Sequence, residues 1–491
     1  MKMLPSFFFF LELNISPPAA VDAHRTVVPR LHGRMVLFPF LLQAAATPIT
    51  NSNQTNTIDS PASTLEPSPP AMSSASEQEV SSAAPPQRKW VALISIAAVL
   101  GNEDDRYKEV VIGTDVLLHL DEPPHTSFVA VRHRVSPYPR LTDDETRYAY
   151  ILAADRSACI LLQVVEGNHW DLFLCDTYKR AVSIIPPMSS EGLGFSPHHT
   201  IGLIADPHNR GHYEVVQLQS STSDNQPNRL ICYSTAKGYW FIRGLTLQQA
   251  RMRNPFYDTT VLAHDGRLWW FAQANGVLFC DPCTPLLEPP QLRFLPLPAD
   301  CELDGYVTFD PRVGALMEQR RCLRPSEGKL RFVEIHGLSY NVFDDVDPDN
   351  INATLWMWTL DEPEDPDPWT FEYEVAFAEI WDDNTYADAG LLPGKVPHVA
   401  LVDPNDHHVV YFLQGSKIFG LNAREKKIVA CEECLPDLQQ MSSISRPFID
   451  AWELPANVAT TTLLDTVCAV VCCSVLSSKR IHLPCLRLLN M

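Results

Sequence analysis

Basic residues are scarce in this sequence and, from Phe332 to Gly394, missing altogether. The whole chain sets 38 Lys and Arg against 59 Asp and Glu, a formal net charge of −21. Binding nucleic acid by phosphate neutralisation needs the opposite balance, so neither DNA nor RNA is an expected partner. Long apolar runs are missing too. A bilayer takes about 20 residues of helix, and the best run, Leu463 to Leu476, is broken by Asp465 and followed by Ser477, Lys479 and Arg480; no membrane span is expected. The 13 cysteines are odd in number and irregularly spaced, which argues against a secreted disulfide framework and for free, buried thiols in a reducing compartment. Four catalytic patterns are also absent: G-x-S-x-G at a strand–helix elbow, a Walker-type phosphate loop, a dinucleotide-binding G-x-G-x-x-G, and H-E-x-x-H. The expectation is therefore no catalytic residue, no cofactor and no metal.

What the chain does have is proline, 41 of them, with 45% hydrophobic residues. Proline is shut out of helix interiors and central strands, so this many imply short elements around a sizeable core. From Trp90 onward, short runs rich in Val, Ile, Tyr, Phe and Trp recur, among them Ala158 to Val165, Tyr213 to Leu218, Leu268 to Ala272, Leu330 to Ile335 and Val409 to Leu413. Phe371 to Phe377 alternates, placing Phe371, Tyr373, Val375 and Phe377 on one face and Glu372 and Glu374 on the other. Turn chemistry separates the runs. His264-Asp-Gly-Arg267 and Gln273-Ala-Asn-Gly276 carry hairpin dipeptides. Asp-Pro recurs at Asp206, Asp281, Asp310 and Asp403, where the carboxylate can accept from the backbone ahead. Strands at this spacing over some 350 residues exceed one sandwich, so the fold class expected is all-β, a propeller-like repeat of about six to eight blades. Two stacked β-domains are the alternative.

The expected domains are a disordered leader and linker at 1–87, the β domain at 88–435, and a C-terminal tail at 436–491 with a short helix. Residues 46–87 are rich in Ser, Thr, Pro, Ala, Asn and Gln and hold few core-forming side chains. The apolar run Phe7 to Leu11 falls short of a secretory h-region, and residues 25–58, with Arg25, Arg30 and Arg34 and no acid, faintly resemble an organelle transit peptide. An unstructured leader is the preferred reading, and an intracellular location, cytoplasmic or nuclear, the expectation.

Several of these segments together resemble a known family: Trp90 at the start, Asp265-Gly-Arg-Leu-Trp-Trp-Phe271, Gly276-Val-Leu-Phe-Cys-Asp-Pro282, Leu330 to Ile335, Leu355-Trp-Met-Trp-Thr-Leu360 with Trp369, and Val409 to Phe412 leading to Lys417 to Leu421. The likeness is to the DUF1618 family, a large plant family expanded in grasses, whose domain resembles the propeller-like domains associated with F-box proteins. It covers most of residues 88–435. The resemblance implies a propeller-like fold and supplies no activity and no catalytic residues. No F-box is recognisable ahead of the domain.

Four clusters bear on function. Cys280-Asp-Pro-Cys283 and Cys431-Glu-Glu-Cys434 are C-x-x-C pairs, but they are far more widely separated than the two halves of a zinc site. Asp345, Asp347 and Asp349 follow the start of a calcium loop, with Asn350 where glycine belongs. His198-His199, His208, His212 and His407-His408 flank turns. The fourth is the acid-rich stretch from Asp344 to Asp388, interleaved with aromatics. Its candidate partner surface is Asp361, Glu362, Glu364, Asp365 and Asp367, which would steer a basic protein partner. The function expected is a non-catalytic protein-interaction module; the alternative is a glycoside hydrolase acting through paired carboxylates.

Overall fold

The structure, a computed structural model, describes residues 88–100, 114–132, 135, 147–166, 169–188, 200–219, 228–247, 259–285, 288–303, 311–340, 352–434 and 449–455. All of them fall in one compact unit, Ser82–Met491. The expected leader, the 463–476 helix, the Asp345–Asp349 loop and His198-His199 lie outside the described residues.

The strands group into six sheets, which are the blades of a propeller. The first holds β1 (Trp90–Ile94), β2 (Ala98–Leu100), β3 (Val116–His119) and β4 (Thr126–Arg132). The second is β5 (Arg147–Ala154), β6 (Cys159–Glu166), β7 (His169–Asp176) and β8 (Ala181–Ile184), and the third β9 (Ile201–Ala205), β10 (Tyr213–Gln219), β11 (Arg229–Ser234) and β12 (Tyr239–Gly244). The fourth gains a fifth strand: β13 (Thr246–Leu247), β14 (Thr259–His264), β15 (Arg267–Ala272), β16 (Gly276–Cys280) and β17 (Gln291–Pro296). The fifth is β18 (Arg321–Ser326), β19 (Lys329–His336), β20 (Thr354–Leu360) and β21 (Trp369–Ala376). The sixth is β22 (His398–Asp403), β23 (Asp406–Gln414), β24 (Lys417–Asn422) and β25 (Lys427–Glu433). The innermost strands lie side by side around the centre: β5 beside β9, β9 beside β14, and β18 beside β22.

The cores explain why so many strands read as continuous apolar runs. Each blade is covered on both faces, so successive side chains are buried against different neighbours. In β15, Leu268 and Trp270 join the core shared with the third blade, while Trp269 and Phe271 join the one shared with the fifth. The same arrangement recurs between the second and third blades and between the fifth and sixth. A half-solvated sheet would have alternated apolar with polar. Buried indoles also stitch the blades: Trp270 donates to the Thr200 carbonyl at 2.9 Å and Trp369 to the Pro296 carbonyl at 2.8 Å, giving each ring its polar partner.

The ring closes through a strand that the sequence analysis assigned to the tail. β26 (Ile449–Glu453) pairs antiparallel with all five residues of β1 and lies beside β22. It is thus the inner strand of the first blade, and the domain runs past residue 435. Five residues flanked by Pro447 and Pro455 carry too little pattern to be read as a strand without their partner.

Turn chemistry behaved locally. The β14–β15 hairpin closes on Asp265 (φ 49°) and Gly266 (φ 69°), the two-residue turn expected from Asp-Gly. The Asp206 carboxylate accepts from the His208 N–H at 2.8 Å, and Asp281 and Asp403 accept from Cys283 and Asn405, each at 2.8 Å. The alternating stretch at 371–377 is only partly a strand: β21 ends at Ala376, and Phe377 opens the short helix α2 (Phe377–Trp381) with its ring buried. β21 is the outer strand of its blade, which leaves Phe371 43% exposed instead of facing a core. Gly276 marks a close approach. A Cβ there would meet the Leu295 carbonyl oxygen and, at 2.8 Å, the Phe294 ring. Gly276→Ala should therefore cost about 2 kcal/mol, read as a lowered urea midpoint with unchanged slope.

Candidate functional site

Among the described residues, a cavity of about 480 Å³ opens at one end of the ring of inner strands. The hairpin tips that follow the inner strands build it. Asp155 and Arg156 come from the β5–β6 turn, His264 and Asp265 from β14–β15, and Glu327 and Gly328 from β18–β19. Asp450 and Glu453 on β26 complete one wall, and the β20–β21 turn brings Asp361, Glu362 and Glu364 to the rim. First-to-second and third-to-fourth turns of a four-stranded blade emerge on the same side, which is why these groups converge.

The five expected partner residues thus sit on one exposed turn beside a cavity. That turn is closed by backbone bonds from Asp361 N–H to the Pro368 carbonyl and from Asp365 N–H to the Glu362 carbonyl, both at 3.0 Å. The structure divides them. Glu364 is bridged by Arg267 at 3.1 Å and Arg293 at 2.8 Å, both from the fourth blade. Asp361 pairs with Lys329 at 2.5 Å and accepts from Thr370 at 2.6 Å; the hydrogen bond from Lys329, then that from Thr370, holds its carboxyl below the ordinary value. The side chains of Glu362, Asp365 and Asp367 are exposed and make no ion pair or hydrogen bond among the described residues. Further along the same stretch, Glu372 meets Arg331 at 2.8 Å and Glu379 pairs with Lys426. Cations from other strands therefore neutralise much of a segment that has none of its own.

His264 lines the cavity half-buried. Burial lowers its pKa, partly opposed by the Asp265 carboxylate and by a hydrogen bond with the backbone of Gly328. Beside the cavity, Glu327, Asp406 and His407 bring their ligand atoms within 4.8 Å of one another. Glu327 is already engaged, accepting at 2.5 Å from the His407 ring and pairing with Arg331 at 3.3 Å. A cation would have to displace a guanidinium to bind there. Of the other histidines, His208 reaches the Cys283 carbonyl at 3.3 Å and His212 the Thr235 hydroxyl at 3.2 Å.

The two C-x-x-C pairs stand in different blades, Cys280 and Cys283 in or just after β16 and Cys431 and Cys434 in or just after β25. Burial pushes the Cys434 thiol up to about 12 and Cys280 higher still, the reverse of what a metal-binding thiolate needs. Sequence reasoning missed Arg324. It lies on an inner strand and lines the cavity with its side chain only 5% exposed. Its trace was present, since Arg321-Cys-Leu-Arg324 sets two guanidiniums in a run that is otherwise core.

No curated protein matches the chain in sequence. Similar solved structures include AztD of Citrobacter koseri, at 12% identity over 57% of this chain and 57% of that one, TM-score 0.24. Others are an α-L-arabinanase of Penicillium chrysogenum, at 11% identity over 54% of this chain and 74% of that one, TM-score 0.29, and the α-L-arabinofuranosidase Arb93A of Fusarium graminearum, at 11% over 60% and 82%, TM-score 0.31. The chain spans just over half the length of AztD. A family model described as protein of unknown function, DUF1618, matches residues 270–411, from the middle of β15 into β23. That match lies within residues 88–435, where the sequence resembles the DUF1618 family, and the six-bladed propeller is the fold that resemblance implied.

Proposed function

We propose that this propeller is a non-catalytic interaction module that engages a basic protein partner at the rim of its channel, through the β20–β21 turn. One observation carries the reading: Glu362, Asp365 and Asp367 lie exposed on a backbone-closed turn with no ion pair among the described residues, next to Asp361 and Glu364, which are already paired. Unpaired rim charges act chiefly on encounter, raising the association rate in a salt-dependent way. Rigid β-scaffolds commonly carry binding on such loops.

The alternative, a carboxylate-dependent glycoside hydrolase, asks for two carboxyls in unequal environments, one held protonated. The cavity's carboxylates favour it less. Asp361 is shifted down instead of up, and Glu364 is held by two guanidiniums. The test uses the triple variant E362K/D365K/D367K of the full chain. Affinity purification from plant tissue with mass spectrometry should recover a basic partner with the parent chain. The variant should then slow association with that partner by about tenfold or more at low salt. Unaltered association of the same partner would sink the reading.

A further inference from the structure

We propose that the channel holds a small oxyanion, a carboxylate or phosphate group, on the guanidinium of Arg324. This does not rest on the basic-partner reading, which uses other residues and another kind of ligand.

Arg324 sits on the inner strand of the fifth blade, between the 480 Å³ cavity and a gap of about 10 Å³ deeper in the channel, and it lines both. Its side chain is 95% buried, as 5% exposure implies. Two other buried guanidiniums are well satisfied, while Arg331 leaves its Nε without a hydrogen bond but binds through both terminal nitrogens. Arg243 donates to the carbonyls of Pro282, Thr284, Pro285 and Glu288 and to the Thr284 hydroxyl, at 2.6–2.9 Å. Arg321 donates to Glu334, Tyr340 and the Gln273 carbonyl. Arg324 makes no hydrogen bond among the described residues, and its Nε is buried without one. The nearest carboxylate is Asp450, with Oδ1 3.5 Å from that Nε and a side chain 44% exposed. That is beyond a hydrogen bond. A buried ionised group lacking hydrogen-bond partners is costly, and a planar, forked cation is best satisfied by an oxyanion that accepts two of its N–H groups.

Four of the eight carboxylates lining the cavity are paired with other cations or with a histidine and do not compete for Arg324. Glu453 pairs with Arg88 at 2.9 Å, Glu364 with Arg267, Asp361 with Lys329, and Glu327 with His407. Arg156, exposed and with no ion pair among the described residues, adds to the positive charge that Arg88, Arg267, Arg324 and Lys329 bring to the same cavity. The volume falls within the range typical of small-molecule sites.

The test is calorimetric titration of the full chain with inorganic phosphate and, separately, with succinate, at constant ionic strength set by chloride. At least one should bind saturably with one site per chain. Binding of phosphate alone assigns a phosphate-bearing ligand, and of succinate alone a carboxylate-bearing one. Arg324→Gln should weaken that binding roughly tenfold to a hundredfold, the worth of charge-assisted hydrogen bonds. Asp450→Asn alters an exposed acid and should tighten it about threefold by removing a like charge; this variant decides the matter if Arg324→Gln does not fold. The proposal is overturned if neither anion binds the parent chain saturably. It is overturned equally if a folded Arg324→Gln, or Asp450→Asn, binds with parental affinity.

Discussion

Replacing Trp452 by alanine should cost the domain about 4 kcal/mol and bring it close to unfolding at room temperature. The indole is 1% exposed, in the core shared by the first and second blades with Val91, Leu93, Ile160 and Leu162. Its N–H donates to the Asp155 carbonyl at 3.0 Å across that blade boundary. Truncating a buried tryptophan to alanine typically costs about 3–5 kcal/mol, and the orphaned carbonyl adds to it. The position raises the stakes, because β26 is the strand that joins the chain's late residues to β1. Weakening it opens the ring at its seam, exposing the edges of β1 and of the sixth blade. Urea unfolding followed by circular dichroism should show the midpoint falling by roughly a quarter to four-fifths, since whole domains are stable by only about 5–15 kcal/mol. A loss below about 1 kcal/mol would mean that β26 does not close the propeller.

The second large effect is expected at Arg321→Ala, about 3–5 kcal/mol. Arg321 and Glu334 are 1% and 2% exposed, and their ion pair measures 2.6 Å. The guanidinium also donates to Tyr340 at 2.8 Å and to the Gln273 carbonyl at 2.7 Å, which ties the fifth blade to the fourth. Glu334 already has one oxygen, Oε2, buried without a hydrogen bond among the described residues. Without Arg321 the carboxylate loses the cation paired with it and must either stay charged in the core or take up a proton. Both are expensive. The pair itself is another matter: buried ion pairs often contribute little beyond what apolar residues of like size supply. The double variant Arg321→Met with Glu334→Leu should therefore recover most of the loss. Recovery in the double variant and a deep deficit in the single one, compared by urea midpoints, identify uncompensated charge as the cause. Equal deficits in both would point instead to lost packing.

The make-up of the candidate site was legible only in part. The acidic turn at Asp361 to Asp367 stands out in the sequence because no Lys or Arg lies near it in the chain. Sequence distance is a poor guide to charge here. Arg267, Arg293 and Lys329 reach Glu364 and Asp361 from other strands, so within the turn the acids without an ion pair among the described residues are Glu362, Asp365 and Asp367. Arg324 is the converse case. It reads as an ordinary strand arginine, and only the ring of inner strands around it reveals that its buried Nε has no hydrogen bond among the described residues and that its ion pair, with Asp450, is a loose 3.5 Å.

By itself the sequence determined the class of fold and the places where the chain turns. Short, doubly buried apolar runs require strands covered on both faces. Asp-Pro and Asp-Gly act within two or three residues, through side-chain-to-backbone bonds and positive φ, so His264 to Arg267 and Asp206 to Asn209 fold as their local chemistry dictates. Only the tertiary structure decided the number of blades, the use of Ile449–Glu453 to close them, and which charges meet at the channel mouth. Each of these depends on pairing between residues far apart in the chain, β1 with β26 above all. Such pairings are set by which edges and faces remain unburied once the local elements have formed, and no local pattern records that.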